Sequence, residues 1–253
     1  MRFDRTTGRR DNGLRMSWKR VLLLLAAGVI VALALACGDD DEESVPGDDN
    51  GSAATVTDAP IGATTAPAVS DCPPLSGDAP EVQMKSYPNV PEMMIDAAKT
   101  YTAVVHTERG DFTMNLRADL APQHVNSFVF LAREGYFDGV TFHRVLPGFV
   151  AQTGDPTGSG SGGPGYLLPA EFTTEVNYTR GTVGMARTND PNSAGSQWFV
   201  TYGDAANLNG AYTIFAEVTD GMDVVDCITP RDPSTNPGAP AGDKIIGIDI
   251  TES

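Results

Sequence analysis

The chain has 253 residues, 41% of them hydrophobic, with 33 Asp/Glu against 17 Lys/Arg and a formal net charge of −16. Seven of the basic residues (Arg2, Arg5, Arg9, Arg10, Arg15, Lys19, Arg20) and two acids (Asp4, Asp11) fall in the first 20 positions, so the chain beyond residue 36 carries 10 Lys/Arg and 31 Asp/Glu, a net charge of −21. That balance argues against nucleic-acid binding, which needs a basic face for phosphates, and against flat adsorption to an anionic membrane.

The basic residues precede an uncharged apolar run, Val21 to Ala36, that meets Cys37. A basic n-region, an h-region and a small-residue cleavage site form the layout of a bacterial export signal. Sixteen apolar residues fall short of the ~20 that a bilayer span needs. Residues 1–36 are therefore predicted to be a removed signal peptide. Met16-Ser17-Trp18-Lys19-Arg20 alone would serve as the n-region, which makes Met16 an alternative start. The segment Leu33-Ala34-Leu35-Ala36-Cys37-Gly38 resembles a bacterial lipobox, with Ala34 where leucine is usual. This implies Cys37 as a lipidated N-terminus and an extracytoplasmic protein, lipid-anchored to the bacterial cell membrane. A secretory peptide that happens to meet a cysteine is the alternative.

Residues 37–84 read as a lipid-anchored tether. Gly, Asp, Ser, Thr, Ala and Pro dominate, too little apolar surface to offset the entropy of ordering, and the acids Asp39 to Glu43 extend the segment by self-repulsion. Residues 85–100 form a lead-in to a domain at 101–253. With Cys37 assigned to lipid, Cys72 and Cys227 remain as an even pair in a disulfide-permissive compartment. A bridge would staple the segment before the domain onto a late helix; two unpaired thiols are the other reading.

Within the domain, Thr102–Thr107 and Asp111–Leu116 alternate around Glu108-Arg109-Gly110 as a hairpin does. Pro122 suits a first helical turn, and Val125, Phe128, Val129, Leu131 and Ala132 mark one helical face that Gly135 ends. Further strands are predicted at 141–145, 149–153, 182–186, 197–200, 214–218 and 245–250, with a second short helix at 222–228. Short strands, two helices and abundant Gly and Pro turns predict a mainly β fold, a β-barrel with helical caps.

Three motifs stand in order: Phe142-His143-Arg144-Val145-Leu146-Pro147-Gly148-Phe149-Val150-Ala151-Gln152, the glycine-rich stretch 154–165, and Gly195-Ser196-Gln197-Trp198-Phe199-Val200. Together they resemble the cyclophilin family of peptidyl-prolyl cis-trans isomerases, over residues 101 to 250. The resemblance implies a closed eight-stranded antiparallel β-barrel capped by two α-helices. It also implies isomerisation of X-Pro bonds in unfolded or partly folded polypeptides, here during the folding of exported proteins.

That reaction breaks no bond. Amide resonance opposes rotation with a barrier of ~18–20 kcal/mol, so no nucleophile, metal, cofactor or proton shuttle is needed. In the twisted transition state the prolyl nitrogen regains a lone pair, which a fixed donor binds better than it binds the planar amide. Arg144, permanently charged and rich in N–H donors, is the predicted catalytic donor. By resemblance, Phe149, Val150, Phe199 and Leu208 form the apolar floor for the proline ring, and Gln152 bonds the substrate backbone and orients Arg144. Backbone groups from Ala186 to Asn189 hold the residues before proline, Gln197 lies near the same groove, and Tyr212 supplies an amphipathic wall where relatives carry histidine. Asn207 stands where many relatives have an aromatic that contacts cyclosporin, which puts tight inhibition in doubt. Trp198 replaces a more usual phenylalanine.

Gly158 to Gly163 satisfies G-x-G-x-x-G, but Pro164-Gly165 follows where a helix should begin, so the stretch reads as a mobile loop beside the groove. His106, His124 and His143 lack metal-ligand spacing. His143 reads as a structural hydrogen-bonding residue, since the reaction moves no proton. Asn177-Tyr178-Thr179 is a sequon in a chain whose lipobox argues against glycosylation. The alternative to an enzyme is a non-catalytic module that binds Pro-containing segments, and a weaker one a structural lipoprotein acting through its acidic tether. Nothing in the sequence suggests more than a monomer.

Overall fold

The computed structural model describes residues 71–253; residues 1–70, with the expected signal peptide, Cys37 and most of the tether, lie outside the described residues. The elements are β1 (Tyr101–Thr107), β2 (Gly110–Leu116), α1 (Pro122–Arg133), β3 (Arg144–Leu146), β4 (Val150–Thr153), β5 (Thr182–Met185), β6 (Trp198–Thr201), β7 (Ile214–Asp220), α2 (Met222–Asp226) and β8 (Ile245–Glu252), with a 3-10 turn at Ala206–Leu208. Every strand and both helices expected from the sequence are present, with β3 at Arg144–Leu146 rather than 141–145 and α2 ending at Asp226 rather than at 228.

The eight strands form one antiparallel sheet in the order β3-β4-β6-β5-β7-β2-β1-β8. Its edge strands, β3 and β8, do not pair with each other. The expected closed barrel is thus corrected to a curled sheet with an incompletely paired seam. The reason is local: β3 has only three residues before the Pro147-Gly148 turn, and Val145 bonds Arg231 of the β8 approach rather than β8 itself. The rest of the seam is bridged by Gly139 N–H to Ile245 O at 2.8 Å, Ile245 N–H to Val140 O at 2.9 Å and Phe142 N–H to Asp243 O at 2.9 Å.

Strand alternation supplies the core. Tyr101, Ala103 and Val105 of β1 and Phe112, Met114 and Leu116 of β2 are buried, with partly exposed residues between them. Helix α1 contributes Phe128, whose ring centroid lies 5.2 Å from Phe215, 5.3 Å from Phe137 and 5.9 Å from Trp198. Burying each such ring stabilises the fold by about 1.5–3 kcal/mol. Trp198 is fully buried, and its indole N–H has no acceptor among the described residues.

Ala121 gives α1 no side-chain cap, so a distant residue does. Glu171 Oε1 accepts the N–H of Gln123 at 3.1 Å, and its Oε2 accepts the N–H of His124 at 3.0 Å. Burial pushes the Glu171 carboxyl up, but contact with His124 and these two N–H groups outweigh it and hold the carboxyl below its ordinary range. At the other end, Gly135 adopts φ 62° and its N–H bonds Ala132 O, while Tyr136 N–H bonds Leu131 O, closing the helix.

Residues 71–84, read from composition as the end of the tether, lie against the domain. Cys72 and Cys227 form a disulfide with their Cα atoms 5.3 Å apart. Arg109 donates to Pro73 O, Thr229 Oγ1 and the buried carboxylate of Asp243, and Ser76 N–H bonds Glu108 O at 3.0 Å. The lead-in packs on α1, where the Asn126 side chain accepts from Met94 N–H at 2.7 Å and donates to Glu92 O at 3.0 Å.

Candidate active site

Sheet register assembles the site. Arg144 on β3 stands opposite Gln152 on β4, Gln152 opposite Phe199 on β6, and Phe199 opposite Gly184 on β5. Side chains directly opposite one another project from the same face of a sheet, so residues far apart in sequence form a single row. The neighbouring row, Val145, Ala151, Val200 and Val183, is buried in the core. The site row therefore lies on the outer face.

A second apolar cluster, separate from the main core, covers that face: Val150, Tyr178, Phe199, Ala205, Leu208 and Ile214, with Phe149, Ala186 and Tyr212 packed on it. It floors a pocket of about 210 Å³ lined by Arg144, Phe149, Val150, Gln152, Ala186, Arg187, Phe199, Leu208 and Tyr212. Phe199 is fixed from both sides, stacked on Tyr178 at 5.7 Å and edge-on to Tyr212 at 5.9 Å. Arg144 is half-buried at the pocket wall and forms no ion pair with any described residue.

A larger cleft of about 740 Å³ adjoins, with Gln152, Ala186 and Arg187 common to both and the glycine stretch 160–165 as its far wall. Gln197 ties the two sides together. Its Nε2 donates to Gly160 O at 3.0 Å and Gly162 O at 2.9 Å, while its Oε1 accepts from Gln152 Nε2 at 3.0 Å. Gln152 is thereby oriented with its carbonyl oxygen left to accept another donor.

The glycine stretch is pinned rather than loose, which corrects the expectation of a mobile loop. Asp155, fully buried, accepts from the N–H groups of Thr157, Gly160 and Gly162 and from the Thr157 hydroxyl. Burial pushes its carboxyl up, but these hydrogen bonds outweigh burial and hold it below the ordinary carboxylate range. A Cβ at Gly162 would lie 2.0 Å from Asp155 Oδ1, so only glycine lets the loop close on this carboxylate.

The family model described as cyclophilin type peptidyl-prolyl cis-trans isomerase/CLD matches residues 102–248, more than half the chain and the whole of this pocket. The chain belongs to the cyclophilin family. A probable peptidyl-prolyl cis-trans isomerase of Brucella suis is 46% identical over 161 residues, covering 59% of this cyclophilin and 82% of the relative. The peptidyl-prolyl cis-trans isomerase of Helicobacter pylori is 40% identical over 140 residues, covering 54% and 85%. Among solved structures, the Cryptosporidium parvum cyclophilin type peptidyl-prolyl cis-trans isomerase superposes with a TM-score of 0.56 at 33% identity, over 61% of this chain and 99% of that one. The activity of this cyclophilin is peptidyl-prolyl cis-trans isomerisation, and cyclophilins bind proline-containing peptides.

Of the residues named from sequence, Arg144, Phe149, Val150, Gln152, Ala186, Phe199, Leu208 and Tyr212 share the smaller pocket, and Gln197 lines the larger cleft. Asn189 is exposed and lines neither. Asn207 is exposed on the 3-10 turn. His143 is buried, and neither ring nitrogen makes a full hydrogen bond among the described residues, the Thr141 backbone being a weak partner. Burial holds its imidazole below the usual histidine range.

Sequence reasoning passed over Gly184, Asp155, Tyr178 and the side chain of Arg187. A Cβ at Gly184 would lie 2.1 Å from Tyr178 Oη and 2.7 Å from Phe199 Cζ, so the absence of a side chain is what admits the Phe199 and Tyr178 pair. Asp155, followed within seven residues by Thr157, Ser159 and several glycines, was the one local signal available, a carboxylate followed by donors.

Proposed function

We propose that this cyclophilin accelerates X-Pro rotation in exported polypeptides outside the cytoplasm, tethered to the cell membrane through a lipid on Cys37, and that Arg144 lowers the barrier. The proline ring enters the apolar pocket against Phe199, Phe149, Val150 and Leu208. The residues before it run past Ala186 toward the cleft held by Gln197. Arg144 then meets the prolyl nitrogen as it becomes pyramidal. Its interaction with the planar ground state is weaker, and that difference speeds the reaction tenfold for every ~1.36 kcal/mol.

The observation that carries the catalytic reading is Arg144 itself: a half-buried guanidinium beside an apolar pocket, opposite Gln152, with no described carboxylate at ion-pair distance. A second support is a structure of the C. parvum relative determined in the presence of the dipeptide Ala-Pro. The export reading rests on the basic and apolar leader, the lipobox-like segment and a disulfide suited to an oxidising compartment.

Magnetisation-exchange NMR on a short X-Pro peptide tests the chemistry without a coupling protease. The parent protein is expected to bring cis and trans into fast exchange, and Arg144→Ala to reduce the catalysed rate about 100-fold or more. Peptide shift changes without accelerated exchange in the parent would leave only a proline-binding module. For the anchor, Cys37→Ala is expected to move the protein from the membrane fraction to the soluble one. Unchanged fractionation would refute lipidation at Cys37.

A further inference from the structure

We infer that Arg187 selects substrates carrying a carboxylate directly before the proline. This rests on the pocket assignment above. Arg187 follows Ala186 beyond the end of β5 and lines both the proline pocket and the larger cleft, a position shared only with Gln152 and Ala186. A peptide that fills the pocket with proline and continues into the cleft must pass its guanidinium.

That guanidinium is held in place. Nε donates to Ala211 O and Nη1 to Thr188 O, both at 2.8 Å, and the group lies 4.6 Å from the Tyr212 ring centroid and 5.8 Å from that of Phe172. Nη2 has no partner among the described residues, which leaves donors for a ligand. The fixed position means little side-chain entropy remains to be lost on binding.

Charge gives the ligand its sign. Among the described residues, Arg109, Arg117, Arg133 and Arg180 are each paired with a carboxylate of the chain, on Asp243, Asp119, Glu252 and Asp226. Arg187 is not, although the chain beyond residue 36 has 31 acids against 10 bases. A half-buried, oriented and unneutralised arginine on a peptide groove favours an anion from the peptide. Asp190 also lines the larger cleft, its Oδ1 accepting Asn192 N–H, and disfavours a second acid farther along. The preference therefore falls on the position adjoining proline.

Matched peptides with Glu or Gln before proline, and with Glu or Gln after it, decide the matter by magnetisation-exchange NMR at subsaturating concentration. For the parent protein we expect catalysed exchange about fivefold faster with Glu than with Gln before proline at low ionic strength, and no such ratio after it. The ratio should shrink toward one in high salt, fall to about one in Arg187→Gln and survive in part in Arg187→Lys. Using the ratio within each enzyme removes any general loss caused by unstacking Tyr212. Equal rates for Glu and Gln in the parent, a salt-insensitive ratio, or a ratio that persists in Arg187→Gln would overturn the assignment; the last would give the preference to Arg144. If Arg187→Gln does not fold, the salt titration of the parent and the Arg187→Lys ratio decide between these outcomes. Failure of the parent to accelerate even the Gln peptide would instead refute the pocket assignment.

Discussion

His143 and Arg144 are adjacent in sequence yet face opposite physical problems. Arg144 sits at a pocket wall and keeps its charge available. His143 is buried, and burial makes the charged imidazole costly; the nearby Asp155 carboxylate opposes this, while Arg144 and Arg231 add to it. The folded protein therefore binds the His143 proton less readily than the unfolded chain does. As pH falls through the ordinary histidine range, at about 6.5, the unfolded chain protonates first and stability is lost; above that range the contribution is fully present. His106 works in the opposite direction, since its hydrogen bond to Asp111 raises its affinity for the proton. The expected outcome is that denaturant-derived stability falls less steeply between about pH 6.5 and pH 5 in His143→Gln than in the parent. Equal slopes would show that His143 is not the group responsible.

Strands rather than loops place the row of residues at the pocket. Arg144, Gln152 and Phe199 lie on β3, β4 and β6, and antiparallel register brings them side by side on the outer face. A slip of one residue would turn the row into the core. Gly184 on β5 completes it by leaving space for Tyr178 and Phe199, both buried and stacked. Gly184→Ala is expected to cost about 1–3 kcal/mol of stability, because neither ring can retreat, and to lower the isomerisation rate by displacing Phe199. Thermal unfolding and NMR exchange measure the two effects; a variant with parent-like values in both would show that the pocket tolerates the methyl group. The elements themselves were legible in the sequence, because the two-residue alternation of β1 and β2 and the helical spacing of α1 are local patterns. The cap on α1 was not, since Glu171 lies 47 residues from His124 and no helical start signal points to it.

At the scale of the molecule, residues 71–100 are part of the folded unit. The Cys72–Cys227 disulfide spans 155 residues and holds the start of this segment near α2, beside the Arg109 contacts to Pro73, Thr229 and Asp243. Closing so long a loop restricts the unfolded chain and contributes about 2–5 kcal/mol. Cys72→Ala is expected to lower the melting temperature by roughly 5–15 °C. None of the residues lining the smaller pocket belongs to residues 71–100 or α2, so isomerase activity at moderate temperature should persist. Unchanged melting, or activity lost together with the disulfide at a temperature where the protein stays folded, would contradict this division.

The sequence by itself determined the strands, the helices and the family. It could do so because local periodicity and closely spaced motif residues survive in one dimension. Tertiary structure alone decided that the sheet curls without fully pairing at its seam, because that depends on β3 being too short to reach β8. It also decided that Asp155 locks the glycine loop, that the pair Cys72 and Cys227 meet, and that Arg187 stands unneutralised between pocket and cleft. Each of these depends on which distant groups come within a few ångströms, and such proximity leaves no periodic trace along the chain.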